Sequence, residues 1–286
     1  MKNIYDKSNI ERVKEVQNKK ELPYKEKIKG LSIVILNLDK PEFIIPLLNN
    51  LLVANTHFTR AGESFEVLIG DTGTSNPKVL QYYENLEKNF IVIKNLKYHF
   101  SQNNNYLATS YAKYNSILFL NNDTFLEKPE NLFQIYNALN SETNIGIAGA
   151  VLLFQNKSIQ HAGISFFEHS ETQGMFPYHP FGNENLDAIK NFQFIESFAA
   201  VTGAFLMIKW DLFFYCQGFD EFYEKEAQDV DLCLKIKRMG YKIILTNFGI
   251  IYHYENGTRK KGEECNTDRI RFIRKWSNYI RFGLQI

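Results

Sequence analysis

The chain has 286 residues, enough for one large domain or two small ones, and its 44% hydrophobic content excludes global disorder. Its 33 Lys and Arg against 32 Asp and Glu leave a net charge of +1, which supplies no overall attraction to nucleic acid. Three scattered cysteines exclude a disulfide framework or a zinc site, and neither a signal-peptide core nor a bilayer-length apolar run is present, so a cytoplasmic protein is expected.

Residues 1–29 are charged and polar, with Ile10, Val13 and Val16 at helical spacing, and read as a helical extension. A first apolar strand covers 31–36 and runs into Asn37-Leu38-Asp39-Lys40-Pro41, a turn and helix start for which Pro41 is suited. Leu and Ile then recur at helical spacing over 43–53. Strands follow at 65–69 and 90–93, with a helix at 78–88 between them. The polar stretch 101–105 reads as a loop and 106–114 as a short helix. Residues 116–120 are a strand buried on both faces, because Ile117 to Leu120 are apolar without alternation. That strand runs directly into Asn121-Asn122-Asp123.

Strands alternating with helices imply a mostly parallel sheet of βαβ units. Three of its strands end in polar residues, Asn37, Asp71 and Asp123, and open α/β sheets bind ligands at such ends. A carboxylate there is suited to a metal ion that in turn holds a diphosphate. The rhythm then changes. A helix is expected at 129–139, a Gly-spaced strand at 145–154, a strand at 201–208 and a turn at 218–221. A helix at 230–239 is stopped by Gly240, and short strands follow at 241–245 and 250–253. The stretch 155–196 is rich in His, Phe, Gly and Asn and shows no clear period. The basic amphipathic helix at 268–281 suits either docking on the domain or peripheral contact with an anionic membrane.

Five blocks of this chain resemble the family-2 glycosyltransferases, inverting enzymes of the GT-A fold that build bacterial surface polysaccharides. They are Ser32-Ile-Val-Ile-Leu-Asn37, Val67-Leu-Ile-Gly-Asp-Thr-Gly-Thr-Ser75 and Leu118-Phe-Leu-Asn-Asn-Asp123, then Val201-Thr-Gly-Ala204 with Gly218-Phe-Asp-Glu221 and Gln228-Asp-Val-Asp-Leu-Cys-Leu234, and finally 240–253 ending in His253. The resemblance implies a GT-A domain over 30–260 between the extension at 1–29 and the helix at 261–286. It implies a nucleotide-sugar donor of UDP or dTDP type, and a glycan or lipid-linked saccharide as acceptor.

Within that resemblance, Asn37, Asp71, Asn122 and Asp123 contact the donor, and Asp123 with His253 holds Mn2+ or Mg2+. Thr202 and Gly203 border the acceptor, and Asp229 is the general base, with Asp231 as second choice. Arg259 and Lys260 follow His253 in a loop suited to close over the diphosphate. The chain departs from the family pattern where Gln228 replaces the first acid of an acidic pair, and where 103–116 is short. A non-catalytic binder of sugar nucleotides or glycans is the alternative. Asp71-Thr72-Gly73 also spells the aspartic-protease triplet, but that chemistry needs two triplets and the chain has one.

Overall fold

The computed structural model describes residues 26–169, 174–255 and 265–284. The helical spacing of Ile10, Val13 and Val16 lies outside these, as do Arg259 and Lys260.

The first four strands, β1 (Ile28–Asn37), β2 (Phe65–Asp71), β3 (Phe90–Ile93) and β4 (Tyr114–Leu120), are parallel and stand in the order β4-β1-β2-β3. Three helices make the crossovers: α1 (Pro41–Arg60), α2 (Pro77–Glu84) and α3 (Phe100–Ser110). Alternation along each strand sends side chains to two separate cores. Val34, Leu68, Ile117 and Phe119 pack on one face of the sheet, and Ile33, Ile35, Val67, Leu118 and Leu120 on the other. That is why these strands read as unbroken apolar runs.

The second half continues with β5 (Thr124–Leu126), α4 (Asn131–Asn140), β6 (Ile145–Leu153) and β7 (Ile159–His161). A hairpin of β8 (Ser165–His169) and β9 (Gly174–Tyr178) stands apart from the main sheet. Then come β10 (Ile195–Phe198), β11 (Phe205–Lys209), α5 (Trp210–Tyr215), α6 (Gln228–Arg238), β12 (Lys242–His253) and α7 (Asn266–Phe282). The main sheet runs β10-β12-β6-β11-β4-β1-β2-β3, with β5 paired to β12 and β7 to β6.

This topology gathers the polar strand ends at one edge. Asn37 pairs in register with Asp71, and the β1–β4 register carried forward sets Asn37 beside Asn122. β11 is antiparallel to β4, with Phe205 opposite Leu120, so Thr202 and Gly203 arrive at the same edge just ahead of it. β12 is parallel to β6, and its last residue, His253, pairs with Thr124 of β5.

Several elements differ from the sequence expectation, each for a physical reason. The polar stretch 101–105 is not a loop but the first half of α3. His99 Nδ1 accepts from Gln102 N at 3.3 Å and caps the helix, Asn105 Nδ2 donates to Phe219 O at 2.9 Å, and Ser101, Asn103 and Asn104 are buried, so capping and tertiary contacts override a polar composition. The strand expected at 201–208 begins only at Phe205, which leaves Thr202 and Gly203 in a turn. The two short strands at 241–253 are one, interrupted by a register shift between Thr246 and Ile251. Helix α6 begins at Gln228, so Asp229 lies in its first turn, and Ala227, with φ 68°, is its N-cap.

α7 is docked on the domain. Its apolar side, Phe272, Trp276 and Ile280, is buried in the core shared with α5 and α6. Its cations meet acids of the domain: Arg269 Nε to Glu226 at 2.9 Å, Lys275 Nζ to Asp220 at 3.0 Å and to Asp231 at 2.6 Å, and Arg281 to Glu168. The buried part of its apolar side is thus taken up by the domain. No helix among the described residues is long and apolar enough to cross a membrane.

Candidate active site

Asp123 is buried beyond the end of β4. Its backbone carbonyl accepts from Tyr254 N at 3.0 Å, which joins the end of β12 to the end of β4. The β5–β12 pairing brings the His253 side chain to the same place, with His253 Nε2 3.2 Å from Asp123 Oδ1. His253 Nδ1 lies 2.6 Å from Gln160 Oε1, which only accepts, so the ring proton sits on Nδ1 and Nε2 presents its lone pair. Asn121 Nδ2 lies 3.1 Å from the same nitrogen, a contact that a bound ion would displace. A carboxylate oxygen and an imidazole lone pair at this spacing fit two adjacent ligands of a divalent ion at about 2.1 Å. Among the described residues no group of three or more His, Cys, Asp or Glu side chains converges to hold a metal, so these two protein ligands would need others from a bound substrate.

The β1 and β2 ends form the neighbouring part of this sheet edge. Asn37 is buried; its Nδ2 donates to Tyr83 Oη at 2.8 Å and its Oδ1 accepts from Asn122 Nδ2 at 2.8 Å. Asp71 Oδ1 accepts from Gly73 N at 3.0 Å and Thr74 N at 2.9 Å, while its buried Oδ2 has no protein donor. Burial, with the Asp71 charge beside it, pushes the Tyr83 phenol well above its usual pKa, so Tyr83 remains an O–H donor. Asp39 braces the rim: its Oδ1 accepts from Asn76 N and Ser75 N, each at 2.7 Å, and these hydrogen bonds lower its pKa.

Ahead of β11 at this edge, Asp229 Oδ2 accepts from Gly203 N at 2.7 Å and its Oδ1 from Val230 N at 2.8 Å. A Cβ on residue 203 would stand 3.2 Å from Asp229 Cβ, so glycine permits this close approach. The adjacent Thr202 N donates instead to His161 Nε2 at 3.4 Å, and His161 Nδ1 lies 3.0 Å from His179 Nδ1. Burial, with His179 and His253 nearby, pushes the His161 imidazole well below its usual pKa. Asp231, the second-choice base, is fully buried and bound to Trp276 Nε1 at 2.7 Å and Lys275 Nζ at 2.6 Å, which withholds it from any acceptor. Gln228 is buried, with its Nε2 lacking a protein partner.

The structure thus brings Asn37, Asp71, Asn122, Asp123, Thr202, Gly203, Asp229 and His253 to one sheet edge. Sequence reasoning missed Tyr83, Gln160, His161 and His179. Tyr83 is embedded in an ordinary helical pattern. Gln160 and His161 belong to a three-residue strand, too short for a period to register. The His content of 155–196 was the one available signal.

The fold is that of the GT-A glycosyltransferases. The chain belongs to the glycosyltransferase-like family, whose model matches residues 73–276. It is 26% identical over 238 residues to the O-antigen biosynthesis protein RfbC of Myxococcus xanthus, covering 80% of this chain and 18% of that protein. It is also 26% identical over 217 residues to protein y4gI of Sinorhizobium fredii, covering 74% of this chain and 23% of that one. The chain therefore spans about a fifth of the length of these relatives. Among solved structures, GalNAc-T7 with UDP, GalNAc and Mn2+ superimposes with a TM-score of 0.66 at 11% identity, over 90% of this chain and 50% of that one.

Proposed function

We propose that the protein is an inverting, metal-dependent glycosyltransferase that moves a sugar from a UDP- or dTDP-sugar to a glycan or lipid-linked saccharide. The observation that carries this reading is the Asp123–His253 pair, 3.2 Å apart, on the same sheet edge as the unpaired Asp71 oxygen and Asp229. The GalNAc-T7 structure, which holds UDP and Mn2+, and RfbC, named for O-antigen biosynthesis, support it.

In this reading Asp71 Oδ2 accepts the N3–H of the pyrimidine base, and Asn37 and Asn122 hold the nucleoside end of the donor. Asp123 and His253 hold Mn2+ or Mg2+, which when bound supplies Lewis-acid stabilisation of the departing diphosphate. Asp229 takes the proton of the acceptor hydroxyl as that oxygen attacks the anomeric carbon from the opposite face. The Gly203 N–H fixes the Asp229 carboxylate, and Thr202 and Gly203 line the acceptor side. Gln228, with its unpaired amide nitrogen where the family carries an acid, favours one other reading, a non-catalytic binder of sugar nucleotides.

A thermal-shift screen of nucleotide sugars with and without Mn2+, followed by turnover of the ligands that bind, separates the two. Ligands that bind the native state raise its stability with concentration. The expected result is Mn2+-dependent stabilisation by a UDP- or dTDP-sugar, with turnover that falls roughly 10²–10⁴-fold in Asp229→Asn while nucleotide binding persists. Binding without turnover in the unaltered protein would favour the binder, and no shift with any nucleotide would overturn both.

A further inference from the structure

His161 and His179 lie outside the roles given so far, yet the backbone ties them to Asp229. Consecutive N–H groups of one turn point to the two sides: Gly203 N donates to Asp229 Oδ2, and Thr202 N to His161 Nε2. Gly163 N also donates to His161 Nε2, at 3.4 Å. The turn is held in place by the Ile164–Ala200 bridge.

Backbone N–H groups can only donate, so His161 Nε2 must be the unprotonated nitrogen. In a neutral imidazole the other nitrogen then carries the proton. His161 is 1% exposed and held neutral by burial, so its Nδ1–H donates to His179 Nδ1 across the 3.0 Å contact. His179 Nδ1 is therefore an acceptor, and the single proton of a neutral His179 is placed on Nε2. No hydrogen bond among the described residues engages that Nε2–H. His179 is exposed, and the Asp229 and Glu255 carboxylates lie near enough for their charges to act on its ring.

We propose that His179, oriented by His161, is an acceptor-binding residue whose Nε2–H donates to the oxygen of the attacking hydroxyl and holds it against Asp229. A donor from His179 to the oxygen leaves the hydroxyl proton directed at the carboxylate. Proton transfer then goes from acceptor oxygen to Asp229, and His179 keeps its own proton throughout. His161 is a positioning residue, since it acts only through the ring of His179. This proposal rests on the glycosyltransferase reading above and extends it to the acceptor side.

Two measurements test it. Long-range 1H–15N correlation spectra of the imidazole-labelled protein report tautomers without any ligand. The expected pattern is Nδ1–H for His161 and Nε2–H for His179; an Nδ1–H tautomer at His179 overturns the proposal whatever the enzyme's activity. The second measurement is release of nucleoside diphosphate from a stabilising UDP- or dTDP-sugar, with water or p-nitrophenyl glycosides as acceptor. His179→Ala is expected to lose roughly tenfold or more in kcat with the donor KM within about twofold, and His179→Gln, which keeps an N–H donor, to recover part of it. Equal kcat in His179→Ala and the unaltered protein overturns the assignment and leaves the glycosyltransferase reading standing. Absence of turnover in the unaltered protein itself overturns the reading beneath it, and the proposal with it.

Discussion

Gln160 illustrates how much of the proposed metal site lies beyond its candidate ligands. Its side-chain oxygen, 2.6 Å from His253 Nδ1, decides which nitrogen of that imidazole faces Asp123. Without an acceptor there, the ring is free to rotate or to carry its proton on Nε2, the nitrogen needed for the ion. Gln160→Ala is therefore expected to weaken Mn2+ binding roughly 10–100-fold with the nucleotide contacts intact. Mn2+ titration in the presence and absence of nucleotide measures this; unchanged affinity would remove Gln160 from the site. The candidate ligand Asp123 was legible because an apolar strand ran straight into it. Gln160 was not, because an amide supporting a histidine 93 positions away leaves no local pattern.

At the scale of elements, α7 organises the segment that delivers Asp229. The fully buried Asp268 accepts from Glu224 N at 3.1 Å, Lys225 N at 2.7 Å and Glu226 N at 3.1 Å, the turn directly ahead of the left-handed Ala227. Trp276 Nε1 and Lys275 secure Asp231 one turn further along. Removing the Asp268 carboxylate takes a buried charged acceptor from three backbone donors of this turn, and hydrogen bonds to a charged group are worth about 1.5–3 kcal/mol each. Asp268→Ala is expected to cost at least about 3 kcal/mol in urea denaturation, and a loss under about 1 kcal/mol would refute this role. The amphipathic period of this helix was plain in the sequence. Its docking site was not, because a basic face suits acidic lipid and acidic protein equally well, and its acidic partners Glu226, Asp220 and Glu168 lie far from it in sequence. The helical register of 101–105 was hidden for a related reason: Asn105 is satisfied by a distant partner, the Phe219 backbone, and Asn103 and Asn104 are buried, neither of which a polar sequence announces.

Global stability should carry the mark of the buried histidine. Folded His161 remains neutral because burial holds its pKa well below the usual value. Unfolded, it titrates near about 6.5. Above about pH 6.5 neither state is protonated there, so this residue adds no pH dependence. As pH falls below that, the unfolded chain takes up a proton that the folded one refuses, and stability drops by about 1.4 kcal/mol per pH unit until the folded pKa is reached. Urea denaturation at about pH 7.5 and pH 5.5, on either side of the unfolded pKa, should show a larger loss for the unaltered protein than for His161→Gln; equal losses would mean that the imidazole is protonated in the fold. The parallel half of the molecule was readable as βαβ units. The insertion of β11 between β4 and β6 was not, because antiparallel and parallel strands buried on both faces share the same apolar composition.

The insertion of β11 also shapes how the protein is made. β4 acquires its second neighbour only when β11 emerges, about 85 residues after Leu120. On a ribosome adding about 5–20 residues per second, this leaves roughly 4 to 17 seconds with Ile117, Leu118, Phe119 and Leu120 on an open strand edge. His253 arrives later still, so the nascent chain carries its central carboxylate for many seconds beside a sticky, unpaired edge and without the imidazole that stands next to it in the finished fold.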